Sequence, residues 1–218
     1  MNAPERSKVC IVDDDPAVRE ALDALLRSFG HATSMHGSLD EFRRTSSPNE
    51  PSCMLLDVNL PGQNGLEYLL TTSGEDADVP PVVLITGYGD VPLAVSAMRA
   101  GAIDVLPKPF SDTQLISAVE VAIGKDRERR RLRGQTDDVM SRFKLLTRRE
   151  REVMALVTAG LMNKQIAWRL SLSEVTVKIH RGNAMRKMKA KSLADLVRMA
   201  AVADARRGDM DVSDSAAA

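Results

Sequence analysis

Four short apolar runs, VCIV (9–12), CMLL (53–56), VVLI (82–85) and IDVL (103–106), recur through the first half of the chain with helix-length segments between them. A fifth and weaker run, HATSM (31–35), falls between the first two. Runs this short, apolar on successive residues and bounded by turn signals, predict strands buried on both faces. The segment 17–29 has helical spacing in Val18, Leu22, Leu25, Leu26 and Phe29 and stops at Gly30. Ser38 with Glu41 and Ser111 with Gln114 have capping-box spacing, and 91–100 predicts a short helix closed by Gly101. Five strand-then-helix units require parallel pairing through right-handed crossovers. The expected fold is therefore α/β, a doubly wound five-stranded parallel sheet with helices on both faces.

The second half has no such runs and predicts an all-α domain. Thr147 and Glu150 form a capping box ahead of an apolar face of Val153, Met154, Leu156 and Val157 that ends at Gly160. Asn163 is expected to cap a short helix through Leu170, Ser173 a longer one through Met188, and Ser192 with Asp195 a fourth. Between the halves, KDRERRRLR (125–133) reads as a solvated linker or as a continuation of the preceding helix, with Gly134 favouring a break. The expected organisation is a first domain at 6–124, a charged and possibly helical linker at 125–142, a second domain at 143–207 and a disordered tail at 208–218.

The formal net charge is zero, but residues 1–124 carry 8 Lys/Arg against 18 Asp/Glu, and residues 125–218 carry 22 against 12. An acidic half joined to a basic half implies that only the second meets nucleic acid. No apolar run approaches a membrane span and the first residues lack a signal-peptide core, which predicts a cytoplasmic protein without a membrane partner. Cys10 and Cys53 lie inside apolar runs without metal-ligand spacing, and are expected to be free, buried thiols.

In a doubly wound sheet, ligands bind beyond the carboxyl ends of the strands. Here those ends carry Asp13, Asp14 and Asp15, then Asp57, Thr86 and Lys108. Each acid alone could be a solvated turn residue; together they converge on one rim. Carboxylates about 5 Å apart repel by about 3 kcal/mol per pair at an effective dielectric near 20, so the cluster calls for a cation. All-oxygen donors suit Mg²⁺. A metal and Lys108 to neutralise charge, with Asp57 to supply an attacking oxygen, are the equipment for receiving a phosphoryl group. Lys108 stands between Pro107 and Pro109, which permits a cis Lys108–Pro109 peptide that aims the side chain.

The stretches VCIVDDDPAVR, LLDVNLPGQNGLE, VVLITGYGDVPLAVSAMRAGAID and LPKPF resemble the receiver domain of response regulators, which has a flavodoxin-like sheet. The resemblance implies that Asp57 is the phosphoacceptor and that the donor is a phosphohistidine on a sensor histidine kinase. It also implies Mg²⁺ bound by Asp14, by Asp13 directly or through water, by Asp57 and by the backbone carbonyl of Asn59. Thr86 would hydrogen-bond the phosphoryl group and Lys108 would pair with it, while Asp15 would belong to the loop. Val105 departs from the family, which often carries an aromatic residue there; the signal is then expected to run through Thr86, the 87–92 loop and the 91–100 helix.

Residues 146–197, above all GLMNKQIA and TVKIHR, resemble the LuxR-type helix-turn-helix. From 143 to 207 there are 15 Lys/Arg against 5 Asp/Glu, the footprint of a polyanion partner. Thr176, Lys178, Arg181 and Asn183 are expected on outward faces of the helix from Glu174, with Val175, Ile179 and Met185 packing inward. The resemblance makes Lys178 and Arg181 DNA contacts in the major groove and Thr176 and Lys164 phosphate contacts. Trp168 and the methionines are expected to fill the core, and Ser171 stands where the family usually has a turn glycine. The helix from Ser192 would pair two copies on adjacent half-sites.

As a whole the chain resembles the NarL/FixJ class of two-component response regulators. That implies a phosphorylation-dependent transcription factor, not a turnover enzyme, with promoter DNA, a homodimer partner and RNA polymerase as further partners. Two other readings are a DNA-binding regulator that no longer uses phosphate, and an aspartate-nucleophile phosphatase. The second is disfavoured because the general acid expected two residues after the nucleophile is Asn59.

Overall fold

In a computed structural model of the chain, residues 7–45, 52–72, 79–87 and 91–216 are described, with side chains to residue 206. The chain divides into two compact units, Met1–Arg130 and Arg131–Ala218. The first holds five parallel strands: β1 (Lys8–Val12), β2 (Ala32–His36), β3 (Cys53–Asp57), β6 (Val82–Thr86) and β7 (Asp104–Pro107). Between β3 and the next helix lies a two-residue hairpin of β4 (Asn59–Leu60) and β5 (Gln63–Asn64), which the apolar pattern did not announce. The order across the sheet is β2-β1-β3-β6-β7, the flavodoxin-like arrangement with its switch point between β1 and β3.

Side-chain alternation along the strands makes two cores. Cys10, Val12, Met54, Leu56 and Leu84 face α2 (Leu39–Thr45), α3 (Gly65–Thr72) and α4 (Val91–Arg99) through Leu39, Phe42, Tyr68, Leu69 and Ala97. Val9, Ile11, Cys53, Leu55, Val83 and Ile85 face α1 (Pro16–Ser28) and α5 (Asp112–Lys144) through Leu22, Leu26, Leu115 and Val119. The two cysteines are free, fully buried and on opposite faces of the sheet. Burial pushes both thiols up, Cys10 to about 12, so neither is a nucleophile at neutral pH.

Helices start at the expected caps Ser111, Thr147 and Ser173, and also at Asp15, which was not expected as one. Asp15 accepts from the backbone N–H of Ala17 at 2.8 Å with Pro16 in the first helical position, and Ser111 and Gln114 form a reciprocal box at the start of α5. The Lys108–Pro109 peptide is cis, as its setting led us to expect.

Of the expectations for the linker and the tail, two fail and one holds only in part, while the helical reading of the linker is the one the fold adopts. No break occurs at Gly134, because α5 runs unbroken from Asp112 to Lys144. One interior glycine costs about 1 kcal/mol, and it is offset by ion pairs three and four residues apart. Arg129 and Arg130 hold Asp126 at 2.7 and 2.5 Å, and Arg142 pairs with Asp138. KDRERRRLR is solvated only in part: Lys125, Arg127, Glu128, Arg131 and Leu132 are exposed, but Asp126 is 1% exposed and Arg129 also donates to the Val79 carbonyl at 2.6 Å. The stretch 208–216, expected as a disordered tail, continues α9 (Leu193–Ala216), a helix propagated from the alanine-rich 200–205 segment. Residues 217 and 218 of that expected tail, and 88–90 of the loop expected to carry the signal, lie outside the described residues.

The second unit packs α6 (Arg148–Thr158), α7 (Asn163–Leu170), α8 (Glu174–Met188) and α9 around Val153, Val157, Ile166, Val177, Met188 and Leu196. A buried acid stitches two of these helices. Glu150 accepts from the Thr147 N–H at 2.8 Å and from Lys187 Nζ at 2.6 Å, and the same ammonium donates to the Leu145 carbonyl at 3.1 Å. Burial alone would raise the Glu150 carboxyl, but the hydrogen bonds from Lys187 and Thr147 prevail and hold it below its ordinary value. Its contribution to stability is therefore present above pH 4.5 and is lost as pH falls through the lowered native value. Glu150→Gln is expected to lower stability near neutral pH and to flatten the loss on acidification. Urea titrations at pH 7 and pH 4 check this, and equal losses for variant and wild type would contradict it.

Candidate functional site

Parallel register sets Asp57 beside Ile85 and Thr86 beside Pro107, so the strand ends meet at one edge of the sheet. Asp13 and Asp57 are 2% and 5% exposed, Thr86 is buried, and Asp14 is open to solvent. Lys108 Nζ bridges the buried pair, at 2.9 Å from Asp13 Oδ2 and 2.8 Å from Asp57 Oδ1. Its backbone N–H donates to the Thr86 carbonyl at 2.7 Å, tying the lysine loop to the neighbouring strand end. The other oxygen of each acid accepts a backbone N–H, Asp13 Oδ1 from Asp15 at 2.9 Å and Asp57 Oδ2 from Asn59 at 2.7 Å. Burial would lower the Lys108 ammonium, yet the hydrogen bonds and charges of Asp57 and Asp13 outweigh it and hold its pKa above the ordinary lysine value.

The rim thus joins Asp13, Asp57, Thr86 and Lys108, with Asp14 at its open side. Two buried carboxylates share one lysine, leaving an excess negative charge that Asp14 increases. The donors are all oxygen, and each buried carboxylate keeps unused lone pairs, which suits a hard cation that takes one or two carboxylates and keeps its water. Among the described residues no three His, Cys, Asp or Glu side chains close around a metal on their own. A cation here would need main-chain or water oxygens as well.

Two site residues escaped the sequence reading. Arg19 on α1 donates to the Asp13 carbonyl at 2.6 Å and so fixes the acidic loop from its helix side. Gly65 opens α3 so close to β3 that a Cβ there would stand 2.5 Å from the Asp57 carbonyl oxygen. A glycine in an LPGQNG loop reads as a turn residue; its close approach is a tertiary fact.

In the second unit, beyond Glu174 in its first turn, α8 exposes Val175, Lys178, Ile179, Gly182 and Arg186. These positions recur at helical spacing on one face. Lys178 on α8 stands in solvent, on an outward face as expected, and Lys164 on α7 is exposed too. Thr176 is half-buried and meets Ser173 Oγ at 2.8 Å, in the cap of α8. Arg181 is half-buried and donates to Asn163 Oδ1 at 3.3 Å, bracing α7 against α8. Asn163 is not the cap of α7; Met162 holds that position, its N–H taken by Gln165 Oε1 at 2.8 Å.

The inward assignment of Val175 and Ile179 is wrong, since they are 70% and 58% exposed, and Trp168 is no core filler at 86%. Val177, Ala184 and Met188 occupy the buried face of α8 instead, and Ile166 and Ala167 that of α7. Ser171 does take a left-handed conformation, with φ of 54°.

The family model described as response regulator receiver domain matches residues 9–120, and that described as bacterial regulatory proteins, luxR family, matches 144–200. The chain belongs to the two-component response regulators of the NarL/FixJ class. Among its relatives, nodulation protein W of Bradyrhizobium diazoefficiens is 45% identical over 90% of this chain and 86% of its own. The transcriptional regulatory protein FixJ of Azorhizobium caulinodans is 43% identical over 94% and 97%. Among solved structures, the response regulator StyR superposes with a TM-score of 0.79 at 42% identity, over 89% of this chain and 98% of that one. Full-length FixJ from B. japonicum gives 0.52 at 38%, over 91% and 97%. This response regulator thus joins a receiver domain to a LuxR-type DNA-binding domain. Membership of the class implies a histidine kinase and DNA as partners. No helix among the described residues of the regulator is long and apolar enough to cross a membrane.

Proposed function

We propose that Asp57 accepts a phosphoryl group from a phosphohistidine of a sensor kinase and that this modification governs promoter binding by the second unit. The observation that supports it is Lys108 clamped between Asp13 and Asp57 at the strand-end rim. An Asp57 oxygen attacks phosphorus, the P–N bond to the kinase histidine breaks, and the imidazole leaves and takes up a proton. Lys108 pairs with the charge that arrives, and Thr86 supplies a hydroxyl at the neighbouring strand end. Asp13, Asp14, Asp57 and the Asn59 carbonyl would hold Mg²⁺, which neutralises charge on the transferred oxygens. Arg19 keeps the Asp13 loop in place.

Lys178 and Arg181 on α8, with Lys164 and Thr176, are the proposed DNA contacts. The regulator is proposed to act in the cytoplasm as a homodimer on phosphorylation, to engage RNA polymerase, and to catalyse only its own phosphorylation and dephosphorylation. Asn59 offers its backbone N–H to Asp57 and no acid, which speaks against a phosphatase.

Incubation with acetyl phosphate and Mg²⁺ is expected to add the mass of one phosphoryl group to the intact chain and none to Asp57→Asn. Omitting Mg²⁺ should slow the gain at least tenfold. An adduct that survives Asp57→Asn would refute the assignment. Equal DNA affinity with and without the adduct would favour a phosphorylation-independent regulator.

A further inference from the structure

A cleft of about 530 Å³ opens in the second unit, away from the middle of α8. It is lined by Arg142 near the end of α5, by Lys189 and Lys191 between α8 and α9, and by Ser192, Asp195 and Arg198 at the start of α9. Four cations face one acid. That acid is already engaged, because Asp195 Oδ2 accepts the Lys191 N–H at 2.9 Å and Oδ1 pairs with Arg198 at 3.1 Å. Counting Asp138, which pairs with Arg142, the cleft keeps an excess of two positive charges.

Two further features mark this lining, although the anionic preference follows from its charge excess alone. The buried Nε of Arg142 has no hydrogen-bond partner among the described residues, although its Nη1 donates to the Met188 carbonyl at 3.3 Å. A buried donor left in that state costs stability. Lys189 takes φ of 55° at the end of α8, a conformation glycine adopts freely and a lysine does not. The chain places a cation where the backbone favours the one residue that has no side chain.

We propose that this cleft is an oxyanion site that grips a phosphate of the DNA backbone. The proposal rests on the reading of the second unit as DNA-binding. Continuity selects DNA as the source of the phosphate. The exposed face of α8 ends at Arg186, and the cationic lining begins three residues later at Lys189. A helix laid in the major groove has a strand of phosphates along each side, and contacts to them set its register. The Ser192 hydroxyl, whose oxygen caps the Asp195 N–H at 3.1 Å, keeps its own proton to donate. A free phosphorylated metabolite offers the same chemistry and is the other source the test must separate.

The test uses the full chain, with and without acetyl phosphate, and a fluorescein-labelled duplex of mixed sequence, read by anisotropy across a salt series. In the Lys189→Gln/Lys191→Gln double variant, the slope of log K against log salt should become shallower by about 0.9 for one lost phosphate. Equivalently, the affinity lost between 50 and 200 mM salt shrinks by about 3.5-fold. Arg148→Gln, which removes a 93% exposed cation outside the cleft, should leave the slope within error, and Lys189→Arg/Lys191→Arg should retain it. An unchanged slope in the double Gln variant overturns the proposal, as does an equal change in Arg148→Gln. Saturable binding of inorganic phosphate that the double variant loses, with the duplex slope intact, assigns the cleft to a free metabolite and overturns the DNA assignment. Wild type that shows no salt-dependent binding in either state overturns the DNA-binding reading itself, a result distinct from the others.

Discussion

Gly65→Ala is expected to destabilise the receiver unit by about 2–3 kcal/mol and to abolish phosphoryl acceptance. The added methyl would stand 2.5 Å from the Asp57 carbonyl oxygen, 3.1 Å from Leu56 Cγ and 3.2 Å from Val58 Cα. None of these is the free end of a flexible side chain. Two belong to the backbone at the end of β3, and the Gly65 N–H is itself bonded to the Val58 carbonyl at 3.0 Å. Relief must therefore come from moving Asp57 away from Lys108, or α3 away from the sheet. Either change should show as a lowered urea midpoint together with no mass gain from acetyl phosphate. A variant within 0.5 kcal/mol of wild type that phosphorylates normally would show that the close approach carries no weight.

Lys108→Met is expected to lower stability at neutral pH by about 2 kcal/mol. Its ammonium neutralises two nearly inaccessible carboxylates, and without it Asp13 and Asp57 repel across the rim. The full penalty for an uncompensated buried charge is about 3–5 kcal/mol, reduced here because the lysine side chain is 30% exposed and solvent can enter. Because the native Lys108 pKa lies above 10.5, its contribution is complete below that pH and fades as pH rises through the native value. The double variant Lys108→Met/Asp57→Asn should recover part of the loss, and added Mg²⁺ should stabilise Lys108→Met more than wild type. A single variant as stable as wild type at pH 7, or a double variant with no recovery, would remove the countercharge from the account.

Much of this architecture was legible because apolar runs and caps are local signals. The five strands are where VCIV, HATSM, CMLL, VVLI and IDVL placed them to within one residue, and the polar strand ends meet as the topology requires. The rest depended on information that is not local. Gly134 carries a helix-breaking propensity, and the Asp126 and Asp138 ion pairs that offset it are not visible as a local pattern. Val175, Ile179 and Trp168 are apolar by type, but which helical face is covered is decided by neighbours on other helices. Arg19 and Gly65 matter through contacts with β1 and β3 that no spacing rule encodes.

Trp168 has a spectroscopic consequence. It is the chain's single tryptophan and stands almost wholly in solvent on α7, while the receiver contributes no indole at all. Emission excited at the indole band therefore comes from the DNA-binding unit alone, from a ring that water already surrounds. The regulator carries a built-in optical reporter of its second unit, one that needs no label and is blind to chemistry at Asp57 unless that chemistry reaches α7.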